Sequence, residues 1–226
     1  MCNSNLVKIK LRVSKKSDFL YFYISMKTRL PLLPPDSLRC FQMIKEATNK
    51  RWRREKIEGC YGFQIQRHTK WREGLSKITL AEFEKAMGYE FPRPLRNFYL
   101  TMNGLDTHGI NVHANNGTPP SYGPIYYSYP DDLDEIRKMI EWVLNANHVG
   151  PEDLPEKASR IFPIMGHRFL LIDDPKNRIL SMFGDDIIYW SSGISSQILK
   201  TGPFPLLNHQ GFAHHGTSKG IKFWLD

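Results

Sequence analysis

The 226-residue chain carries 31 Lys and Arg against 23 Asp and Glu, a formal net charge of +8. Hydrophobic residues at 41%, charged residues at 24% and aromatics at 12% are globular proportions, and the length suits one large domain or a domain with an appendage. No apolar run nears the roughly 18 residues of a membrane helix, and Cys2, Cys40 and Cys60 are too few and scattered for a disulfide framework or zinc ribbon, so a membrane protein, a secreted mini-protein and a collagen-like chain are excluded.

The cysteines read as free thiols of a reducing, cytoplasmic compartment. Charge is unevenly spread: residues 1–75 hold 17 Lys and Arg against 6 Asp and Glu, residues 76–226 hold 14 against 17. A mildly acidic body therefore carries a basic front, and any nucleic-acid reading of the high pI belongs to that front alone.

At the N-terminus, Val7, Ile9, Leu11 and Val13 alternate with Lys8, Lys10 and Arg12, a strand period, and Phe19–Ile24 could return as a hairpin partner. Met26 offers a second start, so residues 1–30 read as an N-terminal extension or an extraneous leader, the first 25 of them dispensable for folding. Residues 31–70 read as a basic helical segment. Asp36 or Ser37 caps a helix with Leu38, Phe41 and Ile44 on one face. Its end, Lys50-Arg51-Trp52-Arg53-Arg54-Glu55-Lys56, has two readings: a nucleic-acid patch with Trp52 for stacking, or a solvated helix end whose cations suit the dipole. Glu46, Glu55 and Glu58 dilute the field and favour the second.

Residues 71–226 read as the main domain. Thr79-Leu80-Ala81-Glu82 is a capping box, Leu80, Phe83 and Met87 share a helical face, and Gly88 supplies the C-terminal cap. Pro92 and Pro94 open a second helix through Leu95, Phe98, Tyr99 and Met102, which Asn103-Gly104 stops. Residues 105–130 suggest a long loop, with Asn115-Asn116-Gly117 and Pro119-Pro120, ending in a strand near Pro124–Tyr129. Asp131 or Asp132 caps a third helix with the stripe Leu133, Ile136, Ile140, Val143 and Leu144. Four short apolar runs follow, Ile161–Met165, Arg168–Ile172, Arg178–Phe183 and Ile187–Trp190. Connections this short join only antiparallel neighbours, which predicts a meander. A short helix around Ser195–Lys200 precedes a tail with His209, His214 and His215.

No phosphate-binding glycine loop, nucleophile elbow or HExxH motif appears. The tail histidines lack a Cys or carboxylate at ligand spacing. His108 and His113 have no evident nucleophile nearby. Cys40 and Cys60 read better as small buried hydrophobes than as activated thiols, and the pairs Asp173-Asp174 and Asp185-Asp186 better as turn residues than as a cation site.

The order of Gly88-Tyr89-Glu90-Phe91-Pro92, Asn97-Phe98-Tyr99-Leu100 to Asn103-Gly104, Ile161-Phe162-Pro163-Ile164-Met165-Gly166, Leu170-Leu171-Ile172-Asp173, Gly184-Asp185-Asp186-Ile187-Ile188-Tyr189-Trp190 and the closing Ile221-Lys222-Phe223-Trp224 resembles the SUKH superfamily. That group includes fungal cell-wall assembly and killer-toxin-resistance regulators and bacterial immunity proteins. The resemblance runs from about residue 75 to the C-terminus. It implies an α+β fold with a mostly antiparallel sheet flanked by helices, no catalytic machinery, no cofactor and no metal. It also implies a cytoplasmic protein that neutralises a toxin domain, a nuclease among the candidates, or a regulatory scaffold for host proteins. A nucleic acid is the least favoured partner.

Two surfaces are candidates for contacting a protein partner. The first, and favoured, is the segment before the third helix, with Tyr122, Tyr126, Tyr127 and Tyr129 as exposed aromatics bordered by Asp131 and Asp132, the alternative being that half of these tyrosines pack on the core. The second is the meander turn with Asp185, Asp186 and Trp190.

Overall fold

A computed structural model describes residues 34–53, 57–60, 63–111, 121–201, 219–221 and 223–225. The expected hairpin of Val7–Ile24, the second start at Met26, Asn115 to Pro120, His113 and the tail histidines lie outside the described residues.

Helix α1 spans Leu38–Trp52. Ser37 caps it, its side chain accepting from the Cys40 amide at 3.2 Å. Cys40, Phe41, Ile44, Ala47 and Trp52 recur at helical spacing and are all buried. Trp52 does not serve a nucleic-acid surface. It is fully buried, 5.5 Å from the ring of Trp71, because its position continues the apolar face of the helix rather than the basic one. Cys40 is likewise a core residue; burial, with the nearby Asp36 charge, pushes its thiol up to about 11, so it holds its proton at neutral pH.

Helix α2 covers Lys77–Met87, and its N-cap lies three residues before the expected one at Thr79. Its N-cap is Ser76, whose Oγ accepts from the Thr79 amide at 3.1 Å, so Thr79 lies inside the first turn. Ser76 offers a capping hydroxyl three residues earlier, and Leu80 and Phe83 are still buried with the helix begun there. Gly88 ends the helix in the left-handed conformation, as expected. Helix α3 covers Arg93–Thr101, with Pro92 at its N-cap. Asn103-Gly104 does not simply stop it: Met102–Leu105 forms a buried strand.

That strand, β4, pairs antiparallel with β3 (Trp71–Glu73). A second sheet has the order β1 (Ile57–Cys60), β2 (Phe63–Ile65), β5 (Gly109–Asn111), β6 (Ser121–Gly123). The strand expected at Pro124–Tyr129 is therefore displaced to Ser121–Gly123, and residues 105–130 are not one loop. The third sheet is the expected meander of β7 (Ile161–Met165), β8 (Arg168–Leu171), β9 (Ile179–Phe183) and β10 (Asp186–Ser191), each paired to its sequence neighbour. All these pairings are antiparallel. With α4 (Leu133–Ala146), packed on β7, and α5 (Ile194–Thr201), they make an α+β fold of antiparallel sheets flanked by helices.

The meander separates two apolar clusters because alternate residues face opposite sides. Phe162, Leu170 and Ile179 join the main core with α1, α2 and α3, while Phe169, Leu180 and Met182 join a smaller one with Val143, Val149 and Trp224. Phe83 is central to the main core. Its ring lies 5.0 Å from Phe91, 5.1 Å from Tyr99 and 5.9 Å from Phe162. Complete burial of one such ring contributes about 1.5–3 kcal/mol.

The carboxylates of the β8–β9 turn pair with arginines. Asp174 and Arg178 form a buried ion pair at 2.7 Å, and Asp173 pairs with Arg160. Arg178 also donates to the Lys219 and Gly220 carbonyls at 2.9 and 3.1 Å, and Trp224 Nε1 donates to Ser159 O at 3.0 Å. These bonds hold residues 219–221 and 223–225 against the smaller cluster.

Candidate partner-binding surface

The segment before α4 is largely internal. Tyr126 and Tyr127 are buried, at 2% and 3% exposure, which corrects the expectation that they project into solvent. The Tyr126 ring lies 4.6 Å from Trp71. Tyr127 directs its hydroxyl to Gly166 O at 3.4 Å, and its own carbonyl accepts from Tyr99 Oη at 3.3 Å. Tyr129 is half-buried and stacks on Phe83 at 4.3 Å. Asn103 braces it from both sides, its Oδ1 accepting from Tyr129 N at 2.8 Å and its Nδ2 donating to Tyr129 O at 2.7 Å. Backbone satisfied in this way behaves as part of the core.

The carboxylates are also engaged. Asp132 Oδ2 accepts from the amide and hydroxyl of Ser128 at 2.7 and 2.6 Å; it stands at the N-cap of α4 but its side chain makes no bond to the helix, which corrects the expected side-chain cap. Asp131 is exposed and pairs with Arg72. Among the four tyrosines, Tyr122 alone is largely exposed, on strand β6.

At the β9–β10 turn the opposite holds. Phe183 pairs with Asp186, so Gly184 and Asp185 make a two-residue connection. Gly184 takes φ +64° at its first position, where glycine suits the hairpin twist. Asn147 Nδ2 donates to Gly184 O at 3.0 Å and to Val143 O at 2.8 Å, tying the turn to the end of α4. The result is a fixed turn rather than a loose one.

Around it gather exposed apolar groups. Phe183 is 64% exposed, and Ile188, paired with Ser181 further along β10, is exposed as well. Trp142 of α4, also partly exposed, meets the Phe183 ring edge-on at 5.3 Å, and His167 meets it at 5.7 Å. Burial, with the charge of Arg168, lowers His167 to about 4, so this imidazole is neutral at physiological pH. Asp185 and Asp186 are exposed, with no ion pair among the described residues. Trp190 is half-buried, the Arg168 guanidinium lying 3.9 Å from its ring centre. Arg168 is itself held by Ser181 Oγ at 2.5 Å.

Sequence reasoning found Asp185, Asp186 and Trp190 but not Phe183, Trp142 or Ile188. One signal was available: Trp142 falls off the stripe of Ile136, Ile140 and Val143, a large apolar residue on the polar side of an amphipathic helix. A rigid patch of aromatic and aliphatic groups beside two carboxylates suits a protein partner bearing cationic side chains.

Among the described residues, no group of three or more His, Cys, Asp or Glu could hold a metal ion, and no helix is long and apolar enough to cross a membrane. No curated protein and no solved structure matches the chain. The family model described as the SMI1 / KNR4 family (SUKH-1) matches residues 74–201, from the link after β3 to the end of α5. With more than half of its length matched, and with the helix pair, meander and closing helix all inside the match, the chain belongs to the SMI1 / KNR4 (SUKH-1) family.

Proposed function

We propose that this chain is a non-enzymatic protein-binding protein of the cytoplasm that neutralises a toxin domain, without a cofactor. Membership of the SUKH-1 family over residues 74–201 carries the reading. The fixed patch of Phe183 and Trp142 beside Asp185 and Asp186 supports a binding surface at the β9–β10 turn. A basic nuclease domain is a toxin whose surface this patch would complement.

The test is co-expression. A toxin domain encoded beside the gene for this chain should lose its lethality when the two are produced together, and the pair should co-purify. Continued killing with both proteins present and folded overturns the reading.

A second reading rests on the regulators after which the family model is named. As a regulatory scaffold, the chain would bind host proteins instead and would protect against no toxin.

A further inference from the structure

A groove of about 560 Å³ opens between the C-terminal end of α2, the side of α4 and the segment leading into β7. It lies apart from the β9–β10 turn, and neither the family match nor the proposed toxin binding assigns it a role. Its walls are mostly aliphatic, from Met87, Ile140, Leu144, Leu154 and Ile161. The volume is that of a small-molecule pocket, roughly 300–1,000 Å³.

Polar groups line the groove as well. Tyr89 and Arg160 both border it, the guanidinium lying over the Tyr89 ring at 5.0 Å. Asp173 engages Arg160 through Nε and Nη2, which leaves Nη1 outside that pair. The Tyr89 hydroxyl is buried and meets no hydrogen-bond partner among the described residues. A buried phenol in that position is costly unless an acceptor reaches it. Burial raises its pKa, with Asp173 adding to the rise and Arg160 opposing it, so at neutral pH it is a donor. Arg137 and Glu141 are the charged groups of α4 at the groove. Arg137 is directed to the Ala86 carbonyl at 2.7 Å.

We infer that this groove binds a small amphipathic monocarboxylate, its aliphatic body against Ile140, Leu144 and Ile161 and its carboxylate accepting from Tyr89 Oη and Arg160 Nη1. Two donors beside an apolar wall match an acceptor-only head on an aliphatic tail. No chemical step is involved; the site binds.

The probe is dodecanoate below its micelle concentration, titrated calorimetrically into the full chain, with dodecanol and dodecyltrimethylammonium as neutral and cationic counterparts. One saturable site is expected, about tenfold tighter for the carboxylate than for the alcohol. Tyr89→Phe should weaken the carboxylate severalfold and leave the alcohol unmoved, a split that a merely structural role would not produce. Leu144→Trp should fill the groove and abolish binding; should that variant melt early, Met87→Trp fills it from the opposite wall. Equal binding of all three amphiphiles, no saturable binding of dodecanoate, or undiminished binding in a folded groove-filling variant would overturn the inference. Saturable binding of an acidic, leucine-bearing peptide with none of dodecanoate would overturn it too, in favour of a protein partner. Toxin protection is measured separately, so either reading can fail without the other.

Discussion

The carboxylate of Asp36 sits on the first turn of α5, 159 positions away in the chain, with Oδ1 accepting from Ser195 N at 2.6 Å. Its Oδ2 accepts from Ile194 N at 3.3 Å, and the Asp36 amide returns a bond to Ser195 Oγ at 3.3 Å. The Asp36 carbonyl accepts from Asn97 Nδ2 at 2.9 Å. One residue outside the family-matched segment thus joins α1, α3 and the last helix of the match. Gly193 permits the approach, since a Cβ there would stand 2.5 Å from Asp36 Oδ2.

Replacing Asp36 by Ala should destabilise the protein by about 1–2 kcal/mol, the range for loss of a helix cap, measured by urea unfolding at fixed pH. The pH dependence has a definite sign. Burial raises the folded-state pKa of Asp36 above the ordinary carboxylate value, and its bonds from Ser195 and Ile194 only partly oppose this. Its contribution is therefore fullest at low pH and is lost as pH rises through the folded value. Asp36→Asn should flatten that part of the stability profile; an unchanged slope would remove Asp36 as its source.

Asp174 and Arg178 should titrate in the opposite sense. Burial alone would raise Asp174, but the hydrogen bonds and charge of Arg178 outweigh it and hold the carboxyl below its ordinary value. Its contribution is present above the unfolded carboxylate pKa, near 3.9, and is lost as pH falls through the folded value. Arg178→Met should cost about 3–5 kcal/mol by leaving a buried charge alone. It should also expose the chain around Lys219 and Gly220 to proteolysis. The double variant Asp174→Asn with Arg178→Met should cost less than the two single changes added together, as a double-mutant cycle would record.

The cap of α2 separates two serviceable hydroxyls. Ser76→Ala should lose about 1 kcal/mol of stability and Thr79→Ala clearly less, because the Ser76 oxygen accepts the otherwise free Thr79 amide of the first turn. Thermal melting of the two variants side by side settles the order; a larger loss at Thr79 would contradict this cap.

Phe183→Ala should leave the melting temperature nearly unchanged, since the ring is mostly in solvent, and should weaken partner binding by about 2 kcal/mol or more if the ring is a hot spot. Tyr126→Ala should do the reverse, costing about 3–5 kcal/mol of stability as a buried aromatic. Affinity and urea stability measured on both variants distinguish the turn from the internal segment. Full affinity in folded Phe183→Ala would remove this surface.

Local chemistry made much of this architecture legible in the chain. The meander follows from connections too short for any other pairing, α4 from its 3-4 stripe, and the end of α2 from Gly88, because each depends on residues only a few positions apart. Asp185 was readable as a turn residue for the same reason, while Asp186 already belongs to β10. What depends on distant segments was not. Trp52 and Tyr126 have the composition of surface aromatics, and only the arrival of Trp71 between them makes both internal. Phe183 is as apolar as its buried neighbours in the strand, yet it is the last residue of β9 and its ring is left in solvent. The bond from Ser195 to Asp36 has no local signal at all, because folding alone brings position 36 to position 195. Sequence periodicity determines which elements form; which faces of them are covered is decided by packing between elements far apart in the chain.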